Sequence, residues 1–397
     1  MSDKELNIRL KGKLEEIAGI LCDSTDKFNS PGVLAGVSGL ALFMFYYSRF
    51  TGDAKYAEVG EQALEKAVEM INNGFTNHTF CSGISGLAWT CEHLEQNGFI
   101  DRAFISFLDE LDPYLLSCME KDFEANNYDF LHGGLGVSYY FLKKRKQDNM
   151  INKVTYLWLK DTAITCNDDC IKWESSLSDT GRYGYNISLS HGMSSIVVIL
   201  SIFFALYPHV IEFRDMLLKT VKFILQQKIP QPTTSLFPSY SLESDEEPKS
   251  SRLSWCYGDL GIAQALIRAS KALLNSSIKN SAIKILLHNC NRKNLIENRV
   301  MDAGICHGAS GISHIFNRSY AYSKMEEFKM ASVYWMEKAI AMAHFSNGLA
   351  GFKSWQGEKY GWNNQYSLLE GPAGIGLSIL SHLNPQLMDW DECLLLS

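Results

Sequence analysis

The chain has 397 residues, 46% hydrophobic and 20% charged, an ordinary soluble composition with enough length to bury a large core. A formal net charge of −7 argues against a general nucleic-acid binder, whose surface would be basic. No apolar run is long enough to span a bilayer, and the N-terminal MSDKELNIRLKGKLEEIAG interleaves charges where a secretory signal would be apolar, so cytoplasmic residence is expected.

In chain order, residues 1–30 read as a helical lead-in. A Gly-x-x-Gly followed by an apolar run then recurs seven times: GVSGLALFMF from Gly36, GISGLAW from Gly83, GGLGVSYYFL from Gly133, GMSSIVVIL from Gly192, GDLGIAQAL from Gly258, GASGISHIF from Gly308 and GPAGIGLSIL from Gly371. The fourth copy carries Ser195 in place of the second Gly. One Gly-x-x-Gly means little. Seven in register, each opening an apolar segment, mark a repeat architecture.

The apolar runs fit helices buried on most sides. Between them lie amphipathic helices such as AKYAEVGEQALEKAVEMI (54–71), with Tyr56, Val59, Ala63, Ala67 and Met70 at steps of three and four. Period-two alternation typical of strands is scarce. Seven helix pairs can build an open solenoid or a closed ring, and the all-round apolar character of the inner helices favours closure. The expected fold is all-α, an (α/α)7 toroid, as a single domain over 1–397. The Pro- and acid-rich KIPQPTTSLFPSYSLESDEEPKSS (228–251) reads as a long surface loop, its acid run solvated.

The register also locates the chemistry. The two residues before each first Gly are Leu34-Ala35, Cys81-Ser82, Leu131-His132, Ser190-His191, Cys256-Tyr257, Cys306-His307 and Leu369-Glu370. In a toroid these positions share one mouth of the ring. His132, His191, Tyr257, His307 and Glu370 converge there, with Asp129 and Arg252 slightly upstream. Ten Cys are too few for a disulfide scaffold, so free thiols are expected in a reducing compartment. Cys256, Cys306 and His307 stand at matching positions of adjacent repeats. Two thiolates and an imidazole suit Zn2+, and three protein ligands leave a fourth position open, as catalytic sites do. Cys81, whose repeat is not adjacent, reads as packing. The pair Cys166 and Cys170 suggests a metal only weakly, since no second pair lies nearby.

At YDFLHGGLG, NISLSHGMSS, SWCYGDLG and ICHGASG the chain resembles the lanthionine synthetase C-like (LanC) cyclases, and the seven-fold glycine pattern extends the resemblance over nearly the whole sequence. The resemblance implies one zinc per chain on Cys256, Cys306 and His307. It implies addition of a peptide Cys thiol to dehydroalanine or dehydrobutyrine, closing lanthionine or methyllanthionine rings. Asp129, His191, Arg252 and Tyr257 match the family's catalytic motifs, and no organic cofactor is implied. The expected partners are a dehydrated precursor peptide and, in a synthetase complex, a dehydratase and a peptide transporter. The chain is about the size of a stand-alone cyclase, without room for fused dehydratase or kinase-like parts. His132 and Gly134 depart from the family's third motif.

These residues support a mechanism. A free thiol is mostly protonated at neutral pH, so activation at zinc would supply the nucleophile, with His191 as general acid or base. Asp129 would orient His191, Arg252 would hold Asp129 or the developing enolate charge, and Tyr257 would donate a hydrogen bond beside the metal. Trp355, Tyr360, Trp362 and Tyr366 are candidates for peptide contact. Three competing readings remain open here. One is a relative adding glutathione or another small thiol to dehydrated proteins. Another is an α/α-toroid glycosidase or terpenoid cyclase, which needs an acidic cluster that is missing at the mouth. The third is a non-catalytic scaffold with structural zinc.

Overall fold

The computed structural model describes residues 3–144, 149–167, 169–177, 181–244 and 249–397. Asp245–Glu247 of the acid run lie outside the described residues. The helices are α1 (Asp3–Cys22), α2 (Val37–Thr51), α3 (Lys55–Asn72), α4 (Ile84–Gln96), α5 (Leu108–Glu124), α6 (Gly134–Lys143), α7 (Asn149–Asp161), α8 (Met193–Leu206), α9 (Ile211–Gln226), α10 (Asp259–Leu273), α11 (Ser276–Cys290), α12 (Ala309–Ser323), α13 (Glu326–Ala341), the single turn α14 (Gly357–Tyr360) and α15 (Pro372–Leu383). Short antiparallel pairs join β1 (Ile164–Cys166) to β2 (Cys170–Lys172), β3 (Ser175–Leu177) to β4 (Arg182–Gly184), and β5 (Ser354–Trp355) to β6 (Trp362–Asn363). Among the described residues no helix is long and apolar enough to cross a membrane.

Each of the seven expected glycines caps the N-terminus of a helix: Gly36, Gly83, Gly133, Gly192, Gly258, Gly308 and Gly371 precede α2, α4, α6, α8, α10, α12 and α15. These helices are buried nearly all round. In α2 every residue from Val37 to Tyr47 is buried, whereas amphipathic α3 buries only Gly60, Ala63, Leu64 and Ala67. The second glycine of the motif is steric. A Cβ on Gly311 would stand 1.9 Å from the Ile305 carbonyl oxygen, because the entering loop folds back across the first helical turn. At Ser195 the hydroxyl is absorbed by donating to the Gly192 carbonyl at 2.7 Å.

The chain forms two compact units. The first comprises Met1–Leu111 and Val300–Cys393. In it α12 packs on α15, α15 on α2 and α2 on α4, with α13 and α3 flanking α12 and α2. The last glycine-led helix thus meets the first, and the loops agree: Leu369 N donates to Leu34 O at 2.9 Å. The lead-in has a defined place here, because α1 packs along α15 as its outer partner. The chain after α15 supplies only 3-10 turns (Pro385–Leu387 and Asp389–Leu394), so the N-terminal helix completes the seventh pair.

The second unit comprises Asp112–Arg299 and Leu394–Ser397. Here α6 packs on α8 and α8 on α10, with α7, α9 and α11 as their respective outer partners, and β2 lies against α9. The 228–251 segment is a loop, but much of it is interior. Ser235 and Phe237 are fully buried, and Ser251 N donates to Ser235 Oγ at 2.8 Å.

Candidate active site

Five of the seven loops entering the glycine-led helices, those before Gly36, Gly83, Gly133, Gly192 and Gly308, share one hydrogen-bonding scheme. The carbonyl six residues before the capping Gly accepts the N–H just after it, as in Gly134 N to Asn127 O (3.0 Å), Met193 N to Asn186 O (2.8 Å) and Ala309 N to Asp302 O (2.9 Å). Neighbouring loops are laced by the carbonyl two residues before the Gly. Cys81 O accepts from Leu34 N and Ala35 N, Cys256 O from Leu189 N and Ser190 N, and Leu369 O from Ile305 N and Cys306 N. In these three pairs of loops the lacing places the residues before the Gly at equivalent points.

Cys256 is buried, with its Sγ 3.5 Å from Ser254 Oγ. The hydroxyl of Ser254 in turn donates to Tyr257 O at 2.9 Å, and Trp255 Nε1 donates to Leu394 O at 2.8 Å, so the loop is pinned on both sides of the cysteine. Gly258 is the one capping glycine with positive φ (+84°), and a side chain there would meet Ser251 Oγ at 2.1 Å. The loop around Cys306 and His307 is fixed by Asp302, which accepts from Gly304 N at 3.0 Å and from Trp355 N at 2.9 Å. Cys256 stands two residues before Gly258, and Cys306 and His307 stand two and one before Gly308, in the loops entering α10 and α12. Two soft thiols and an imidazole are a donor set that fits zinc.

The second cluster lies wholly in the unit containing α6, α8 and α10. Asp129 Oδ2 is 2.7 Å from His191 Nδ1, while its Oδ1 accepts from Leu131 N (2.7 Å) and His132 N (3.0 Å). Burial alone would raise the Asp129 pKa. The hydrogen bond and charge of His191, with a further contribution from His132, outweigh it and hold the carboxyl below its usual value. An ionised carboxylate only accepts, so Nδ1 of His191 carries the proton. The His191 ring lies 5.7 Å from Tyr257 and 5.9 Å from His132, centroid to centroid, and Tyr257 meets Tyr240 edge-on at 6.0 Å.

Asp129, His191 and Tyr257 are therefore together. The Arg252–Asp129 pairing allowed by the sequence is not formed among the described residues: both Asp129 oxygens are engaged by His191 and the backbone, and Arg252 makes no ion pair. Glu370 accepts from Gln356 Nε2 at 2.8 Å, and Trp355 and Trp362 face each other at 5.2 Å across their hairpin. Cys166 and Cys170 are a cross-strand pair in which burial, and then the hydrogen bond to Cys170, push the Cys166 thiol up to about 12. Among the described residues no third donor joins them.

Sequence reasoning missed the buried Asp259 network. The Asp259 carboxylate accepts from Leu236 N and Phe237 N (both 2.9 Å) and Asn289 Nδ2 (3.0 Å), with Arg292 Nη1 at 3.4 Å. Arg292 also donates to Ser251 O at 3.0 Å and Asn298 Oδ1 at 2.8 Å. A signal was available: Asp259 directly follows its capping Gly, where the other six copies have Val37, Ile84, Gly134, Met193, Ala309 and Pro372.

The glycine-led helix pairs, the two thiols and imidazole before Gly258 and Gly308, and the part-buried carboxylate–imidazole pair define the class. Residues 27–395 match the family described as Lanthionine synthetase C-like protein, and the chain belongs to that family. It is 24% identical over 336 residues to the Nisin biosynthesis protein NisC of Lactococcus lactis subsp. lactis, covering 75% of this chain and 77% of that relative. Among solved structures it is similar to nisin cyclase, with a TM-score of 0.76 at 20% identity over 97% of both chains. The fold is thus an α/α toroid, as the sequence predicts.

Proposed function

We propose that the chain is a zinc-dependent lanthipeptide cyclase that adds peptide Cys thiols to dehydroalanine or dehydrobutyrine, forming lanthionine and methyllanthionine thioethers. The observation that carries it is the donor set of Cys256, Cys306 and His307 at matching positions before Gly258 and Gly308. The similarity to NisC and to nisin cyclase supports the same chemistry. Zinc, when bound by these three residues, would draw charge from a thiol at its open position and lower that thiol's pKa toward neutrality.

The chain's own residues then have separable tasks. Asp129 keeps the proton on Nδ1 of His191, and Nε2 takes the proton leaving the substrate sulfur. The C–S bond forms at the β-carbon while the alkene electrons shift onto the adjacent carbonyl as an enolate. Arg252, which makes no ion pair among the described residues, offsets that charge. Tyr257 walls His191 on one side, which limits the ring positions open to it.

The test is metal content beside activity. Purified protein should hold one zinc per chain, with sulfur ligation visible by X-ray absorption, and close thioether rings in a dehydrated Cys-containing peptide. Cys256→Ala and Cys306→Ala should lose both. Metal-replete protein without zinc would sink the proposal. Protein with zinc that adds glutathione but closes no peptide ring would favour the small-thiol reading.

A further inference from the structure

We propose that Cys166 and Cys170 are a thiol–disulfide exchange site, a dithiol that closes reversibly into an intrachain disulfide with a low-molecular-weight disulfide as the oxidant. The inference stands apart from the cyclase reading and uses none of its residues.

Among the described residues no third donor joins this pair, so it lacks the ligand set that zinc needs. A disulfide needs only two sulfurs at the right separation, and the hairpin supplies that. Cys166 of β1 and Cys170 of β2 stand directly opposite each other, the last antiparallel pair before the turn. Opposed residues have Cα atoms about 4.5–5.5 Å apart, within the roughly 4.4–6.8 Å that a disulfide spans. Opposed side chains also share one face of a strand pair, and the two thiols hydrogen-bond to each other. Neither sulfur has far to travel to meet the other.

The pair is also within reach of a small molecule. Both cysteines line a cavity of 460 Å³, together with Lys172, Tyr185 and Glu243. Cys166 is partly exposed and Cys170 is buried, so first contact falls to Cys166 and its partner is shielded from most other reactants. The Cys166 thiolate attacks one sulfur of the small disulfide and expels the other half as a thiolate. Cys170 then attacks the Cys166 sulfur of the mixed disulfide and expels the second half. Two S–H bonds of the chain and one S–S bond of the oxidant are exchanged for one S–S bond in the chain and two small thiols. The cysteines are oxidised, the small disulfide is reduced, and each cysteine's proton passes to an expelled thiolate.

The surroundings set the pace. Burial, and then the hydrogen bond to Cys170, hold Cys166 protonated, while the charge of Lys172 favours its thiolate. The exchange is therefore slow near neutral pH and quickens as pH rises. The closed form does not suffer, because little thiolate is present to stabilise the open dithiol. Closing the bond fastens β1 to β2, the strand that lies against α9 and carries Lys172, whose Nζ sits 3.9 Å from the Tyr185 ring centroid.

The test is mass and cysteine mapping on the full, metal-replete chain. The protein is incubated with glutathione disulfide and with mixtures of it and reduced glutathione, then denatured and alkylated. Fully reacted protein should lose two hydrogens at Cys166 and Cys170, with neither residue alkylated, and reduced glutathione should restore both thiols. The rate should rise about tenfold per pH unit from neutral to mildly alkaline pH, as the thiolate fraction does. Two alkylatable thiols at every glutathione ratio would overturn the proposal. So would glutathione left on Cys166 as a lasting mixed disulfide, because Cys170 would then not reach its neighbour's sulfur.

Discussion

Asp129 shows how one side chain can do two jobs at a site. Its Oδ1 caps a turn through Leu131 N and His132 N, and its Oδ2 holds His191. Asn at this position could still accept from the backbone, so the loop should survive. Its amide, however, offers either a donor or a neutral acceptor to Nδ1 and no longer secures the tautomer with the proton on Nδ1. Asp129→Asn should therefore leave metal content unchanged and Tm within about 2 °C, while kcat falls by roughly 10²-fold or more, by analogy with other carboxylate–histidine pairs. Steady-state cyclisation with parallel metal analysis decides it, and an unchanged kcat would remove Asp129 and His191 from the chemistry. Arg252 is the contrasting case. The sequence offered it Asp129 as a partner, a pairing not formed among the described residues, because which cation meets which carboxylate depends on loop geometry.

At the scale of elements, the seven glycine-led helices were legible because their cause is local and repeated: a capping Gly, a second Gly or Ser under the entering loop, and an apolar run. The equivalence of Cys256 and Cys306 followed from the same register. The strand pairs β1–β2 and β3–β4 were not legible, since strands of three residues carry no period-two pattern to read. Nor was the pairing of α1 with α15, which joins opposite ends of the sequence. The buried side of the 228–251 segment was hidden for another reason. Its Pro and acidic residues do mark a loop, but Asp259 draws that loop inward by accepting from Leu236 N and Phe237 N. Asp259→Ala would leave Arg292 buried without its carboxylate and orphan two N–H groups. The expected cost is about 3–5 kcal/mol, seen as a lowered Tm and as new proteolytic cleavage between residues 228 and 244. Cleavage identical to wild type would mean that the loop is held by its apolar side chains alone.

For the molecule as a whole, stability should depend on pH chiefly from the acid side. Asp391 is fully buried and is held by His314 Nε2 at 2.7 Å, by Arg318 Nε at 2.8 Å and by a second, shorter contact from Arg318 Nη2. Burial would raise its pKa, but Arg318 and His314 overcome this and keep it below the ordinary carboxylate value. Asp129 is lowered in the same sense by His191 and His132. A carboxylate whose folded pKa lies below its unfolded value contributes its full stabilisation above the unfolded pKa, about 3.9, and loses it as pH falls through the folded one. Neither group therefore makes stability vary between pH 6 and 8, and both should make it drop steeply below about pH 4. Asp391→Asn removes the charge while Arg318 stays largely buried, so Tm at pH 7 should fall by the equivalent of about 3–5 kcal/mol. The acid limb should also flatten, because a group that binds a proton on unfolding is gone. Thermal melts of wild type and variant from pH 3 to 8 test both parts. An unchanged Tm at pH 7 with an equally steep acid limb would show that the Asp391 cluster, despite its burial, contributes nothing net to the folded state.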